Sequence, residues 1–510
     1  MIYTFNKIAR TSIATLLIGL FGCMQSNAQN WDAQINQRLP AVLKMHREFV
    51  SLPNIASNTD DMQRNVAWAK KAFEARGFKF STLETTTLPV VLAQYTVDPA
   101  AKTLLYYLHL DGQAVNPARW DQEDPFKPVL KAQGADGNWD IISWDSLDGT
   151  IDPEWRIFGR AAADDKGPIS MLLTAMDLLK ANGQKPKHNL KVILDLQEEA
   201  GSEGFLSSLE GYKEQYKADY MVIFDGPAHT SNAPTLTFGC RGIARCSITV
   251  YGAKLPQHSG HYGNVAPNPI FTLSHLLASM KDKDGKATIQ GYYDGITLDA
   301  KTREILDNVP DNNPKIIKNL GLSKAESVGE NYQTALQYPS LNVRHIETSW
   351  KGPGLKTIIP EYVTAHLDIR LVLETDGAAQ IQKIKDHISK QGFYVIDRDP
   401  TDQERISYSK IVKFESNSGV NAFRTDVSSA FGNQLSKAIV ASCGVEPIKI
   451  RTMGGTVPII PAINTLGIPA VIVPLVNMDN NQHNPNENIR IGNMVQGIKV
   501  YLGILSADFK

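Results

Sequence analysis

Cysteine is scarce in this 510-residue chain: there are four, Cys23, Cys240, Cys246 and Cys443. They are too few and too scattered for a disulfide framework or a CxxC metal site, so stapled small-domain folds and thiolate metal centres are excluded. Charge of one sign is equally lacking. The 52 basic residues nearly balance the 53 acidic ones, and no basic block marks a nucleic-acid or anionic-membrane surface. Long hydrophobic runs are absent, which excludes a transmembrane segment. The one apolar run of note, Ile13 to Phe21 behind Lys7 and Arg10, is too short to span a bilayer and reads as a signal-peptide core. Ser26-Asn27-Ala28 then offers a cleavage site, with lipid attachment at Cys23 as the rival. The expectation is an exported protein, periplasmic or secreted, with residues 1–28 as signal peptide. Internal repeats and low-complexity tracts are also missing, so solenoid and disordered architectures drop out.

What is present is an alternation of strands and helices. Asp61 to Gly77 has helical spacing, Thr103 to Leu108 is a short apolar strand, and an amphipathic helix follows Gly167. Leu190 to Leu196 and Tyr220 to Phe224 read as buried strands. Around Thr237 to Tyr251 the texture changes to alternating, half-buried antiparallel strands, and from about Ser428 the α/β texture returns. The length allows two domains. The pattern predicts an α/β domain with a mostly parallel sheet (residues 29–240 and 401–510), interrupted by an inserted α+β domain at 241–400. The polar stretch from Asp282 to Val343 is an elaboration of that insert.

Strand ends carry metal-type ligands. His109 and Asp111 follow the first strand, Glu198 and Glu199 another, and Asp225 follows Phe224 directly. His483 lies a few residues beyond the strand Pro469 to Val476, and Asp164-Asp165-Lys166-Gly167 precedes the amphipathic helix. In open α/β sheets ligands bind beyond the carboxyl ends of strands, so these groups can converge on one crevice. Singly, each has a bland reading: a surface pair, a solvated Glu-Glu, a helix cap. Together they supply two imidazoles and several carboxylates with no thiolate, a set suited to two Zn²⁺ ions, or Mn²⁺ or Co²⁺. Such a pair polarises a carbonyl and lowers the pKa of a bridging water. A carboxylate held off the metals must move the proton, and the adjacent Glu198 and Glu199 can divide these roles.

The stretches LHLDGQAV, WDQEDPF, IFGRAAADDKGP, LQEEAGSEG, IFDG, QHSGHYGN, LDIRLV, MGGTVP and HNPNENI occur in one order from about residue 40 to the C-terminus. In these the chain resembles the dinuclear zinc metallopeptidases that include carnosinase, cytosolic non-specific dipeptidase, glutamate carboxypeptidase, aminoacylase and succinyl-diaminopimelate desuccinylase. The dipeptidase branch is the most similar. The resemblance implies that His109 and Asp225 hold one metal, Glu199 and His483 the other, and Asp164 bridges them. It makes Glu198 the general base and Asp111 the residue that orients His109. It makes the insert a lid that forms a homodimer, with His258 stabilising the oxyanion in the partner's site. Arg370 would grip the substrate carboxylate, and Gly454, Gly455 and Thr456 would line the pocket. His229 is an alternative ligand and His261 an alternative to His258. Two features depart from the pattern: Ala161 stands where the family often has glycine, and Asn264 follows Gly263 in place of a second glycine. The implied activity is hydrolysis of an amide bond beside a free carboxylate, in a dipeptide or short peptide. An N-acyl amino acid deacylase with the same site is the near rival, and a non-catalytic binding protein on the same fold the distant one.

Overall fold

The computed structural model describes residues 31–352, 354 and 356–510. The expected signal peptide and Cys23 lie outside the described residues. The chain forms two compact units. The first comprises the described residues up to Phe238 with Thr425–Lys449 and Pro461–Lys510; the second comprises Gly239–Arg424 and Ile450–Ile460. The second unit runs past residue 400 because Ile411–Val420 is hydrogen-bonded along its length to Gly242–Tyr251.

An eight-stranded sheet forms the first unit. Its order is Lys79–Leu83, Val90–Tyr95, Asn189–Asp195, Thr103–His109, Tyr220–Ile223, Ala470–Ile472, Thr235–Thr237 and Ile448–Ile450. The four central strands, from Asn189–Asp195 to Ala470–Ile472, run parallel. Val90–Tyr95 is antiparallel to both its neighbours, and Thr235–Thr237 is antiparallel to Ala470–Ile472. Thr103–His109 shows why the interior is parallel: Leu104 to His109 are all buried, an apolar run covered on both faces. Two helices cover the sheet as neighbours, Lys166–Ala181 and Ile491–Leu505, both buried nearly all round. A smaller antiparallel sheet joins Asn488–Arg490, Arg156–Phe158, Val129–Gln133 and Trp139–Ile142. Among the described residues no helix is long and apolar enough to cross a membrane.

The second unit is an antiparallel sheet with one parallel edge pair, in the order Ser340–Thr348, Tyr362–Leu371, Gly242–Tyr251, Ile411–Val420, Tyr394–Ile396. Helices Pro269–Met280 and Gly377–Lys390 pack on it. Ile248, Val250, Leu276, Val363, Ile369 and Ile384 are among its core residues. The polar stretch read as an elaboration carries three short helices, Ala300–Asp307, Asn313–Asn319 and Tyr332–Ala335.

His46 and His188 are two of the histidines buried in the first unit. His46 Nδ1 lies 3.0 Å from Ser170 Oγ. Burial, reinforced by the charge of Lys166, pushes its pKa down to about 3. Burial likewise pushes His188 down to about 4. Both are neutral in the fold and take up a proton on unfolding near pH 6.5. Their stabilisation is therefore complete above that pH and is lost as pH falls towards the folded values. For His46 the limit is ~5 kcal/mol, at about 1.4 kcal/mol per pKa unit. On metal-free protein, the unfolding free energy of His46→Gln measured in urea is expected to fall less steeply than wild type between pH 6.5 and 4. Parallel curves would show that His46 is not held neutral.

Candidate active site

The parallel strands deliver acidic and imidazole groups to their carboxyl ends. His109 closes Thr103–His109 opposite Asp195 in the ladder. Its Nε2 lies 2.8 Å from Asp164 Oδ1, and His483 Nε2 lies 3.1 Å from Asp164 Oδ2. His483 Nε2 is also 3.1 Å from Glu199 Oε2. Two triads result, His109–Asp164–Asp225 and Asp164–Glu199–His483, with the ligand atoms of each within 4.8 Å of one another. Asp164 belongs to both, one oxygen facing each imidazole. His229 belongs to neither; its Nδ1 lies 2.9 Å from Ser231 Oγ.

Local structure explains the aim of each group. Asp195 ends its strand and accepts from Gln197 N, which starts a tight turn at Glu198–Ala200. Gly201 closes that turn with a φ of 99°, a left-handed conformation suited to glycine. The two carboxylate oxygens of Asp111 accept from Glu198 N and Glu199 N at 3.0 and 3.1 Å. Asp111 therefore holds the glutamate turn as well as His109, whose Nδ1 lies 3.1 Å from its carbonyl oxygen and 3.4 Å from Oδ1. Gln113, which spacing does not single out, donates to Glu199 Oε2 at 2.8 Å. Ala161 (φ 61°) and His483 (φ 63°) are left-handed without being glycine. At Ala161 this costs about 1–2 kcal/mol.

The electrostatics are those of a crowded acidic cluster. Burial, then the charge of Asp164, pushes the Asp225 carboxyl up to about 7. Burial and Asp225 push Glu198 well above the usual carboxylate range. Burial alone would lower His109, but hydrogen bonds to Asp111 and Asp164 outweigh it and hold the imidazole well above its ordinary value. His483, bonded to Asp164 and Glu199, is pushed up to about 10. These four groups retain protons, while Asp164 between the two imidazoles is held below the usual carboxylate range by His109 and His483, the mark of a site that lacks positive charge. Two divalent cations, bound by two imidazoles and three carboxylates, fit that demand.

Residues 105–507 match the model of peptidase family M20/M25/M40. The chain belongs to this family. The peptidase is 28 % identical over 420 residues to the Cys-Gly metallodipeptidase dug1 of Schizosaccharomyces pombe, covering 81 % of each chain. It is 27 % identical over 425 residues to human Beta-Ala-His dipeptidase, covering 81 % of this chain and 76 % of that one. Among solved structures it is similar to the M20 metallo-carboxypeptidase Sso-CP2 of Sulfolobus solfataricus, with a TM-score of 0.71 and 26 % identity over 91 % of this chain and 98 % of that one. It is thus a metal-dependent peptidase-type hydrolase on an M20 fold.

The comparisons correct one expectation, that of export. The fungal Cys-Gly metallodipeptidases among the relatives are cytosolic enzymes. A short apolar run behind two basic residues is too weak a signal to stand against them, and the periplasmic or secreted location is withdrawn.

The remaining predicted residues lie in the second unit of the peptidase. Arg370 Nη1 donates to Thr456 Oγ1 at 2.8 Å, and Thr456 Oγ1 donates in turn to the Arg241 carbonyl at 2.6 Å. Gly454 and Gly455 precede that threonine, and Gly455 O accepts from Arg241 N at 3.1 Å. His258 is exposed at the start of the short helix Ser259–Tyr262, beside His261 with ring centroids 4.8 Å apart. Its Nδ1 accepts from Gly260 N.

Proposed function

We propose that this M20 peptidase hydrolyses the amide bond of dipeptides or other short peptides next to a free carboxylate, with two divalent cations, Zn²⁺ foremost and Mn²⁺ or Co²⁺ as substitutes. The observation that carries the reading is the pair of triads sharing Asp164, with the half-buried Glu198 beside them but in neither. His109, Asp164 and Asp225 hold one cation; Asp164, Glu199 and His483 hold the other. When bound, the cations polarise the scissile carbonyl and make water acidic enough to attack at neutral pH.

The chain's own residues do the rest. Glu198 takes the proton of the attacking water and passes it to the departing amine nitrogen. Asp111 keeps His109 and the glutamate turn in place. Arg370, whose side chain donates to the Thr456 hydroxyl, has the planar guanidinium that suits a substrate carboxylate. Gly454, Gly455 and Thr456 shape that subsite. His258 donates to the carbonyl oxygen as it becomes negative. The second unit serves as lid and as homodimer contact. Its outer strand, Ser340–Thr348, is a sheet edge with Val343 and Ile346 exposed, the kind of edge a second copy can pair.

The test is a mixed panel of dipeptides, N-acetyl amino acids and N-succinyl amino acids, run on Zn²⁺-loaded protein and again after chelation. Cleavage of dipeptides that chelation abolishes and Zn²⁺ or Mn²⁺ restores is expected. Preference for the acyl amino acids by more than tenfold would make it a deacylase, and turnover untouched by chelation would remove the metal mechanism.

A further inference from the structure

Glu487 stands four residues after His483, in a stretch where only the histidine has a role in the mechanism above. Strand Arg156–Phe158 pairs antiparallel with Asn488–Arg490, with Phe158 opposite Asn488. That register sets Glu487 beside Gly159, whose N–H donates to the Glu487 carbonyl at 3.0 Å. The turn from Gly159 to Asp165 follows, and it carries Asp164.

The Glu487 side chain is fully buried and points into this turn. Its Oε2 accepts from Arg160 Nη1 at 2.7 Å and Ala161 N at 3.0 Å. Its Oε1 accepts from Ala163 N at 3.1 Å and Asp164 N at 3.0 Å. Three backbone N–H groups of one turn thus converge on a single carboxylate, an anion nest filled from within the chain. Ala161, the left-handed residue of the turn, is one of the donors. Arg160 Nη2 reaches back to the Asn484 carbonyl at 3.4 Å, which ties the turn to the residue after His483.

We propose that Glu487 is a positioning residue for the two-metal site: its carboxylate sets the backbone of Asp164 and holds that bridging group in register with His483. The inference rests on the reading of Asp164 as the shared ligand. The physical requirement is a buried acceptor for several N–H groups at once. An amide of the same shape supplies one oxygen and turns an NH₂ towards donors, leaving buried N–H groups unmet. Glutamine at 487 therefore releases the turn without emptying the space, and Asp164 loses its fixed distance to both imidazoles.

The experiment is Zn²⁺ affinity of Glu487→Gln and wild type, by competition with a chromophoric chelator at 25 °C without substrate, together with the visible spectrum of the Co²⁺ form. Circular dichroism checks that the variant is folded. The expected result is Zn²⁺ binding weaker by about 10- to 100-fold and an altered Co²⁺ spectrum in a folded protein. Wild-type affinity and spectrum in the folded variant, whatever its melting temperature, would reduce Glu487 to a structural role and overturn the proposal. If the glutamine variant does not fold, Glu487→Asp takes its place: it keeps the charge one methylene short. Affinity at least threefold weaker is then expected, and wild-type affinity overturns the proposal. Since no substrate is present, a failure to cleave dipeptides leaves this result intact. A wild-type chain that binds no Zn²⁺ would instead bring down the metal reading, and this inference with it.

Discussion

Replacement of Asp164 by alanine is expected to empty both metal positions and to reduce dipeptide turnover by roughly 10⁴-fold or more, the scale on which a hydrolytic site without its metals loses activity. No other side chain belongs to both triads. Its two oxygens face His109 and His483 at 2.8 and 3.1 Å, so the substitution removes a ligand from each cation at once. It also takes from His109 one of the two hydrogen-bond partners that hold its pKa up against burial. Elemental analysis after gel filtration reads the result directly. Two zinc ions per chain retained in Asp164→Ala would mean the bridging assignment is wrong.

Glu198→Gln is expected to behave in the opposite way towards metal. Both positions stay filled, KM changes by no more than a few-fold, and kcat falls about a thousandfold, within the range that general acid–base catalysis contributes. The reason lies in the turn that Asp111 clamps. Consecutive side chains diverge there, so that Glu199 meets Asp164 and His483 while Glu198 stays out of both triads. Glutamine has the same shape and fills the same half-buried space but accepts no proton from water. Retention of more than a tenth of wild-type kcat with full metal content would assign the proton transfer to another group. The two variants together separate holding the metals from moving the proton.

Much of the frame was legible because buried strands announce themselves. Asn189–Asp195 and Tyr220–Ile223 lie within a residue or so of the apolar runs at 190–196 and 220–224, since a strand covered on both faces has no room for polar residues. The turn and helix at Asp164–Lys166 were readable from composition, and the resemblance supplied roles. The second carboxylate function of Asp111 was not readable, because its partners are backbone N–H groups 87 and 88 residues away. Gln113 and Glu487 were missed because their partners are also distant in the chain, the Glu199 carboxylate 86 residues on for Gln113 and the N–H groups of the turn at 161–164 for Glu487. Nothing in HNPNENI says that its glutamate faces a turn 326 residues earlier; the antiparallel register of two short strands decides that. Export was misread because a short apolar run is compatible with more than one fate.

Periodicity and residue type alone determined the buried strands and the main amphipathic helices, and that the chain offers imidazoles and carboxylates rather than thiolates. These properties depend on local backbone geometry and on donor chemistry, and a linear sequence carries both. Tertiary structure alone decided which carboxylate faces both histidines, which glutamate of an adjacent pair meets them, and what holds the connecting turns. Those outcomes depend on strand order and register, set by long-range pairing that no local pattern encodes.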